Sequence, residues 1–223
     1  MPTYSLLEHP WIVCSTLEYG ERELSVSEIL AQAHELLEVV DSNPLIPVAV
    51  SRVLLAILHR TFGPEHERSW RELWSKGRFD SRAIDAYLVA WEQRFDLFHD
   101  DRPFYQTPHL DAMYSKHVAK LTHELASADA PTLFDHTTPA NAEPFTPAKA
   151  ARNLIAQQAF AVGGLVTLVR GEDSGVFKSA DAGPLAKGAV VMSHGKSLFD
   201  TLMLNLHRYS PKDEEPCAVH GED

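Results

Sequence analysis

The run from Val48 to Leu58, VAVSRVLLAIL, constrains this chain more than any other stretch. It is apolar at nearly every position, broken only by Ser51 and Arg52, so a helix built from it has almost no polar face to turn to water. Asn43-Pro44 ends whatever helix precedes it, and Gly63-Pro64 stops this one. The spacing predicts a helix from about Pro47 to Phe62 at the centre of the core. The run is too short to span a bilayer.

Around that centre the pattern alternates between helical spacing and turns. Trp11 to Cys14 reads as a strand, Glu18-Tyr19-Gly20 as a turn and Glu23-Leu24 as the return. Ser25 and Glu28 stand in capping-box register, followed by Val26, Ile29, Leu30, Ala33, Leu37 and Val40 at helical spacing. Ser69 to Lys76 predicts a short helix closed by Gly77. A further helix starts at Asp80 or Ser81, with Ile84, Tyr87, Leu88, Trp91 and Phe95 on one face. Asp100 to Pro108 is an irregular loop containing RPFYQ. From Ala126 to Thr146 the composition shifts to Pro, Thr, Ala, Asp and Asn, a long loop of the kind that is usually functional or mobile. Thr146-Pro147 makes a good N-cap and first position, opening a helix to Phe160. Lys187 to Ser193 reads as a strand, Lys196 to His207 as an amphipathic helix, and PKDEEPCAVHGED is a polar, acidic close. The expected class is α+β: predominantly helical, with an N-terminal β-hairpin and a few short strands.

The chain of 223 residues carries a net charge of −11, which argues against nucleic acid when taken whole. The charge is uneven. Residues 1–144 sum to −10, residues 145–210 to +3, and the last 13 residues to −4. The one segment with a positive balance contains the adjacent pair Gly163-Gly164, placed straight after a helix. Adjacent glycines relax the steric limits on two residues and bare the backbone. A left-handed helix cap explains one of them, and both at a stretch. The alternative is a backbone loop that closely approaches a grooved ligand. A DNA minor groove is such a ligand, being narrow and read through shape and a degenerate set of acceptors.

Other constellations fall short of chemistry. In VVMSHGKSLF, Gly195-Lys196-Ser197 sits in phosphate-loop context, but Val190 occupies the position of the first glycine. A plain strand-to-helix turn accounts for it. Twelve histidines show no helical i, i+4 pair and no Cys/His pairing, so no metal is expected. Asp100-Asp101 beside Arg102-Pro103 reads as a turn former. Ser193-His194 lacks the glycines of a nucleophile elbow. Nothing assembles into an acid, a base and an electrophile stabiliser, so neither catalytic residues nor a cofactor are expected. Cys14 and Cys217 are unpaired in spacing, and MPTYSLLEHPW lacks a basic region followed by an apolar run, which together suggest a cytoplasmic location.

Four fragments occur in a telling order: SLLEHPWIV from Ser5, LLAILHRTFG from Leu54, RFDLFHDDRPFYQTP from Arg94, and ARNLIAQQAFAVGGL from Ala151. The set resembles the CasA family, the large subunits of the type I-E CRISPR Cascade complex. The resemblance covers almost the whole chain. It implies that residues 1–223 are the N-terminal part of that subunit's N-terminal domain. The rest of the domain and a C-terminal four-helix bundle would then be absent. It further implies a non-enzymatic recognition subunit that checks the protospacer-adjacent motif of target duplex DNA from the minor groove. Such a subunit helps begin strand separation and recruits the system's helicase–nuclease, while RNA–DNA pairing reads the rest of the target.

On the resemblance, the family's DNA-reading glycine loop falls on Ala161, Val162, Gly163 and Gly164. Its complex-docking loop falls within about Leu133 to Phe145 and takes in Leu133, with Phe134 as apolar anchor and Asp135 and His136 as polar flank. The implied partners are the other Cascade subunits, the guide RNA near its 5′ end, target double-stranded DNA and the helicase–nuclease, with no membrane. The family's motif-reading lysine and strand-separating glutamine transfer to no residue here. Two other readings stay open. One is a nucleotide-binding enzyme built on Gly195-Lys196-Ser197; the other is a generic protein-interaction domain whose glycine pair is only a cap.

Overall fold

Ile12 and Cys14 are buried while Val13 and Ser15 are only partly so, and this alternation sets β1 (Ile12–Thr16) on the core. The computed structural model describes residues 3–18, 20–114, 116–122, 144–170 and 178–207. β1 pairs antiparallel with β2 (Glu21–Leu24), Ile12 opposite Leu24, as the hairpin pattern predicts. The capping box forms as expected: Glu28 N–H donates to Ser25 Oγ at 3.3 Å, and Ser25 N–H donates to a Glu28 carboxylate oxygen at 2.8 Å. It opens α1 (Val26–Gln32).

The predicted continuation of α1 through Leu37 and Val40 is wrong. The chain leaves the helix after Gln32 and forms β3 (Leu36–Val39) on the free edge of β1, giving the order β2-β1-β3. Leu36 and Val39 are the buried pair, and Leu37, which helical spacing placed inside, is exposed. Pairing won because β1 would otherwise leave a row of unsatisfied N–H and C=O groups beside the core.

The apolar run becomes α2 (Leu45–Phe62), capped by Gly63 in the left-handed conformation at φ 39°. At 18 residues and a mean hydropathy of 1.5 it is longer than the sequence run and is long and apolar enough to cross a membrane by those measures alone. Eight of its residues are buried in the common core. It packs against α4 (Ser81–Ala90), α5 (Pro147–Phe160) and α6 (Leu198–Asn205). α3 (Glu67–Ser75) is amphipathic with no fully buried residue; its Trp70 Nε1 donates to the Met203 carbonyl at 3.0 Å, tying it to α6. Gly77, at φ 65°, turns the chain after α3 as predicted.

The strand expected over Lys187–Ser193 does not form. Val190 and Val191 are exposed, and Ser193 is held by a side chain: its N–H donates to Asn205 Oδ1 at 3.1 Å and its carbonyl accepts from Asn205 Nδ2 at 2.7 Å. With the Ser193 backbone polar groups satisfied by α6, the apolar pattern alone draws no ladder. A two-residue ladder appears instead between β4 (Gly164–Leu165) and β5 (Ser179–Ala180).

Candidate nucleic-acid interface

The interface is built outward from α5. Thr146 caps its start, accepting from Lys149 N–H at 3.2 Å, with Pro147 at the first position. Arg152, on the first half of the helix, bonds the Trp11 carbonyl, Glu23 at 2.9 Å and Asp41 at 3.1 Å. One largely buried guanidinium thus fastens α5 to the sheet and to the entrance of α2. Ala151, Ile155, Ala156 and Ala159 bury the inner face.

The far end of α5 differs from expectation. The helix ends at Phe160, and Ala161 turns to extended backbone at φ −54°, ψ 133°. Neither Gly163 nor Gly164 has positive φ, so the left-handed cap reading of the pair is overturned. The orphan carbonyls are met from elsewhere in the chain. Leu185 N–H donates to Ala159 O at 2.9 Å and Gly183 N–H to Ala161 O at 2.7 Å. Gly183 is what permits this seat, because a Cβ there would stand 2.6 Å from the Ala159 carbonyl oxygen. Sequence reasoning missed it; the available signal was the turn-forming run Asp181-Ala182-Gly183-Pro184.

The two glycines have opposite surroundings. A Cβ on Gly163 would lie 2.9 Å from Ala182 N and 3.0 Å from Ala180 O, backbone against backbone. A Cβ on Gly164 would meet nothing within 4 Å. Gly163 seats the loop, and Gly164, paired with Ala180 through its backbone, leaves its α-carbon face open to solvent. Val162 on one side is 86% exposed and Leu165 on the other 75%, so the tip projects from the body with apolar shoulders.

Beyond the tip the chain is tied on both sides. Val166 N–H donates to Lys178 O at 3.1 Å, Met113 N–H to Leu168 O at 2.9 Å, and Arg170 N–H to Asp111 O at 2.9 Å. Residues 161–190 carry Arg170, Lys178 and Lys187 against Glu172, Asp173 and Asp181, a neutral stretch inside the segment 145–210 that sums to +3. Arg170 pairs with Asp111 at 3.1 Å and Lys187 with Asp181 at 3.6 Å, both pairs exposed.

The rival constellations fare differently. Gly195 N–H, which a phosphate would need, donates to Thr201 Oγ1 at 3.0 Å, and a Cβ there would collide with Asp200. Gly195 is a packing glycine, Ser197 is the α6 N-cap, and no strand precedes them. The Asp100-Asp101 turn is held by His99, whose Nδ1 accepts from Asp101 and Arg102 N–H, while Asp101 faces His109 Nε2 at 3.2 Å. Among the described residues no three His, Cys, Asp or Glu side chains gather as metal ligands. Leu133, Phe134, Asp135 and His136 lie outside the described residues, as does most of the predicted loop. At its described end, Lys149 Nζ sits 4.6 Å from the ring centre of Phe145.

Comparison with known proteins adds the following. A family model for CRISPR-associated protein Cse1 matches residues 5–220. A curated CasA/Cse1 protein of Thermus thermophilus is 40% identical over 215 residues, covering 96% of this chain and 41% of that protein. The solved structure of Thermus thermophilus CasA (Cse1) superposes with a TM-score of 0.80 at 34% identity, over 97% of this chain and 42% of that one. Cse1 from Acidimicrobium ferrooxidans gives 0.81 at 28% identity, over 93% and 39%. A chain in a structure described as a CRISPR RNA-guided surveillance complex gives 0.81 at 26% identity, over 93% and 44%. The chain spans about two fifths of the length of each.

Proposed function

The chain belongs to the CRISPR-associated Cse1 family, and on that premise we propose that it is a non-catalytic subunit of an RNA-guided antiviral surveillance complex. In this reading it inspects the protospacer-adjacent motif of duplex DNA from the minor groove through Ala161, Val162, Gly163 and Gly164. It assembles with the other subunits and the 5′ region of the guide RNA through the segment containing Leu133, Phe134, Asp135 and His136. It also helps recruit the helicase–nuclease.

One observation carries the DNA-reading part. A Cβ on Gly164 would meet nothing, so its α-carbon face opens to solvent, while its backbone pairs with Ala180 and the neighbouring Gly163 is fixed against Ala180–Ala182. A narrow groove admits a face without a side chain and excludes one that carries bulk. The positive balance of residues 145–210, +3 in total, suits the flanking phosphates. The nucleotide-enzyme alternative loses its support at Gly195, whose N–H is already bonded inside the fold.

The test uses the full subunit in its assembled complex. Gly164→Asp adds bulk and negative charge at the tip without touching a neighbour. The complex should keep its subunits and guide RNA and lose its preference for motif-bearing over motif-altered duplex. Unchanged preference in a correctly assembled variant removes the tip from motif reading.

A further inference from the structure

A second surface, on the other side of Gln158, has the composition of a nucleic-acid site. A groove of about 630 Å³ runs between the end of α4 and the RPFYQ loop, lined by Tyr87, Trp91, Tyr105 and the guanidinium-bearing Arg94 and Arg102. Arg60 joins from α2 by hydrogen bonding to the Tyr87 hydroxyl. Two arginines and several aromatic rings therefore line the groove with one aspartate, Asp101, whose carboxylate is engaged with His109. That concentration stands inside the segment of the chain whose total charge is −10.

The loop is shaped for the purpose at a cost. Tyr105 and His109 hold φ at 55° and 53°, the left-handed region that side chains other than glycine seldom adopt. The Tyr105 conformation is fixed by its own carbonyl, which accepts from Gln158 Nε2 of α5 at 3.0 Å. Phe104 is buried beside it with ring centres 4.7 Å apart, so the tyrosine ring rests on the core and stays 38% exposed. Arg102 is exposed, and its guanidinium makes no ion pair among the described residues.

We propose that this groove takes one or two unpaired nucleotides of a DNA strand, their bases stacked on the aromatic rings and a phosphate on Arg102. Ring faces accept any base, and the arginines supply the charge that a phosphate needs. The choice of DNA over RNA rests on the proposed function. Gln158, which holds the Tyr105 carbonyl, stands on the last turn of α5, and the glycine tip follows from the end of that same helix. Groove and tip are thus tied to one element, as a strand leaving a duplex inspected at the tip requires.

The experiment is a titration of the chain with oligothymidylate of six nucleotides, read by tryptophan quenching and by anisotropy of the labelled strand. Oligouridylate of equal length and a hairpin duplex are run in parallel. Oligothymidylate should bind, more weakly as salt rises. Arg102→Glu and Tyr105→Asn should each weaken it about tenfold; Asn is chosen because it tolerates left-handed backbone, and an unchanged thermal melt confirms folding. Binding of a strand that carries no duplex motif is read here without any motif preference, which separates failure here from failure of motif reading. Absence of binding, insensitivity to both groove substitutions, or tighter binding of oligouridylate overturns the proposal.

Discussion

Gly163 and Gly164 are adjacent in sequence, yet substitution should move them in opposite directions. Alanine at Gly163 drives a methyl group into the backbone of Ala180–Ala182, which must shift to admit it. Overpacking of this kind costs about 1–3 kcal/mol. Alanine at Gly164 meets nothing, and its φ is not positive, so the chief effect is on the unfolded chain. That stabilises by about 0.4–1 kcal/mol. Thermal melts should show Gly163→Ala lowered and Gly164→Ala level or slightly raised; the reverse order would show that the tip is seated through the other glycine. Cys14 makes a separate prediction at the same scale. Burial pushes its thiol up to about 12 from an ordinary 9.0, with Arg22 opposing weakly. The folded state thus holds a proton that the unfolded chain loses first. The stability linked to this group is fully present below pH 9 and drains away as pH rises from 9 toward 12. Denaturant midpoints measured across that window should fall more steeply for the natural chain than for Cys14→Ala, and at about pH 8 the native thiol should resist alkylation.

At the scale of the element, α5 matters because one side chain fixes its start and another segment fixes its end. Arg152 bonds the Trp11 carbonyl and two carboxylates, Glu23 and Asp41, while itself largely buried. Arg152→Met keeps the stem's packing and strands those acceptors, a loss of about 2 kcal/mol, or about 4–8 °C in Tm for a chain of this length. A drop under about one degree would show that the sheet holds α5 without it. Gly183→Ala should unseat the other end, since its methyl group meets the Ala159 carbonyl; hydrogen exchange at Leu185 and Gly183 should quicken before the rest of α5 changes. The first half of this element was legible in the sequence, because Thr146-Pro147 is a local signal and the apolar spacing is helical. The second half was not, because its cap comes from residues 183–185, far along the chain. The same division runs through the fold. α2 and the capping box of α1 were readable from neighbours in sequence. β3 was misread because what decides it is the open edge of β1, and the Lys187–Ser193 strand was misread because an asparagine on α6 took the Ser193 backbone groups. At the site, the glycine pair could be picked out by its oddity. Only three dimensions separate the seating glycine from the presenting one.

For the molecule as a whole, the decisive quantity is charge. A chain at −11 is repelled by DNA at long range, so any binding must come from a local exception. The segment from residue 145 to 210, which contains the glycine tip and sums to +3, is one. This predicts two classes of variant in the assembled complex. Lys187 is exposed and paired only with Asp181 at 3.6 Å, an ion pair that contributes little to folding. Lys187→Ala should weaken motif-bearing and motif-altered duplexes by the same factor and reduce the slope of log affinity against log salt by about one. If the tip reads base edges as proposed, Gly164→Asp should leave duplexes still bound but no longer sorted. The two also differ in time. Phosphate attraction acts at encounter, so Lys187→Ala should slow association. On the proposed reading, motif inspection follows encounter and precedes strand separation, so Gly164→Asp should slow opening of a duplex labelled beside the motif with a fluorescent base analogue. If Lys187→Ala instead erases motif preference while Gly164→Asp spares it, then charge placement sorts the duplexes, and the glycine tip is not the reader.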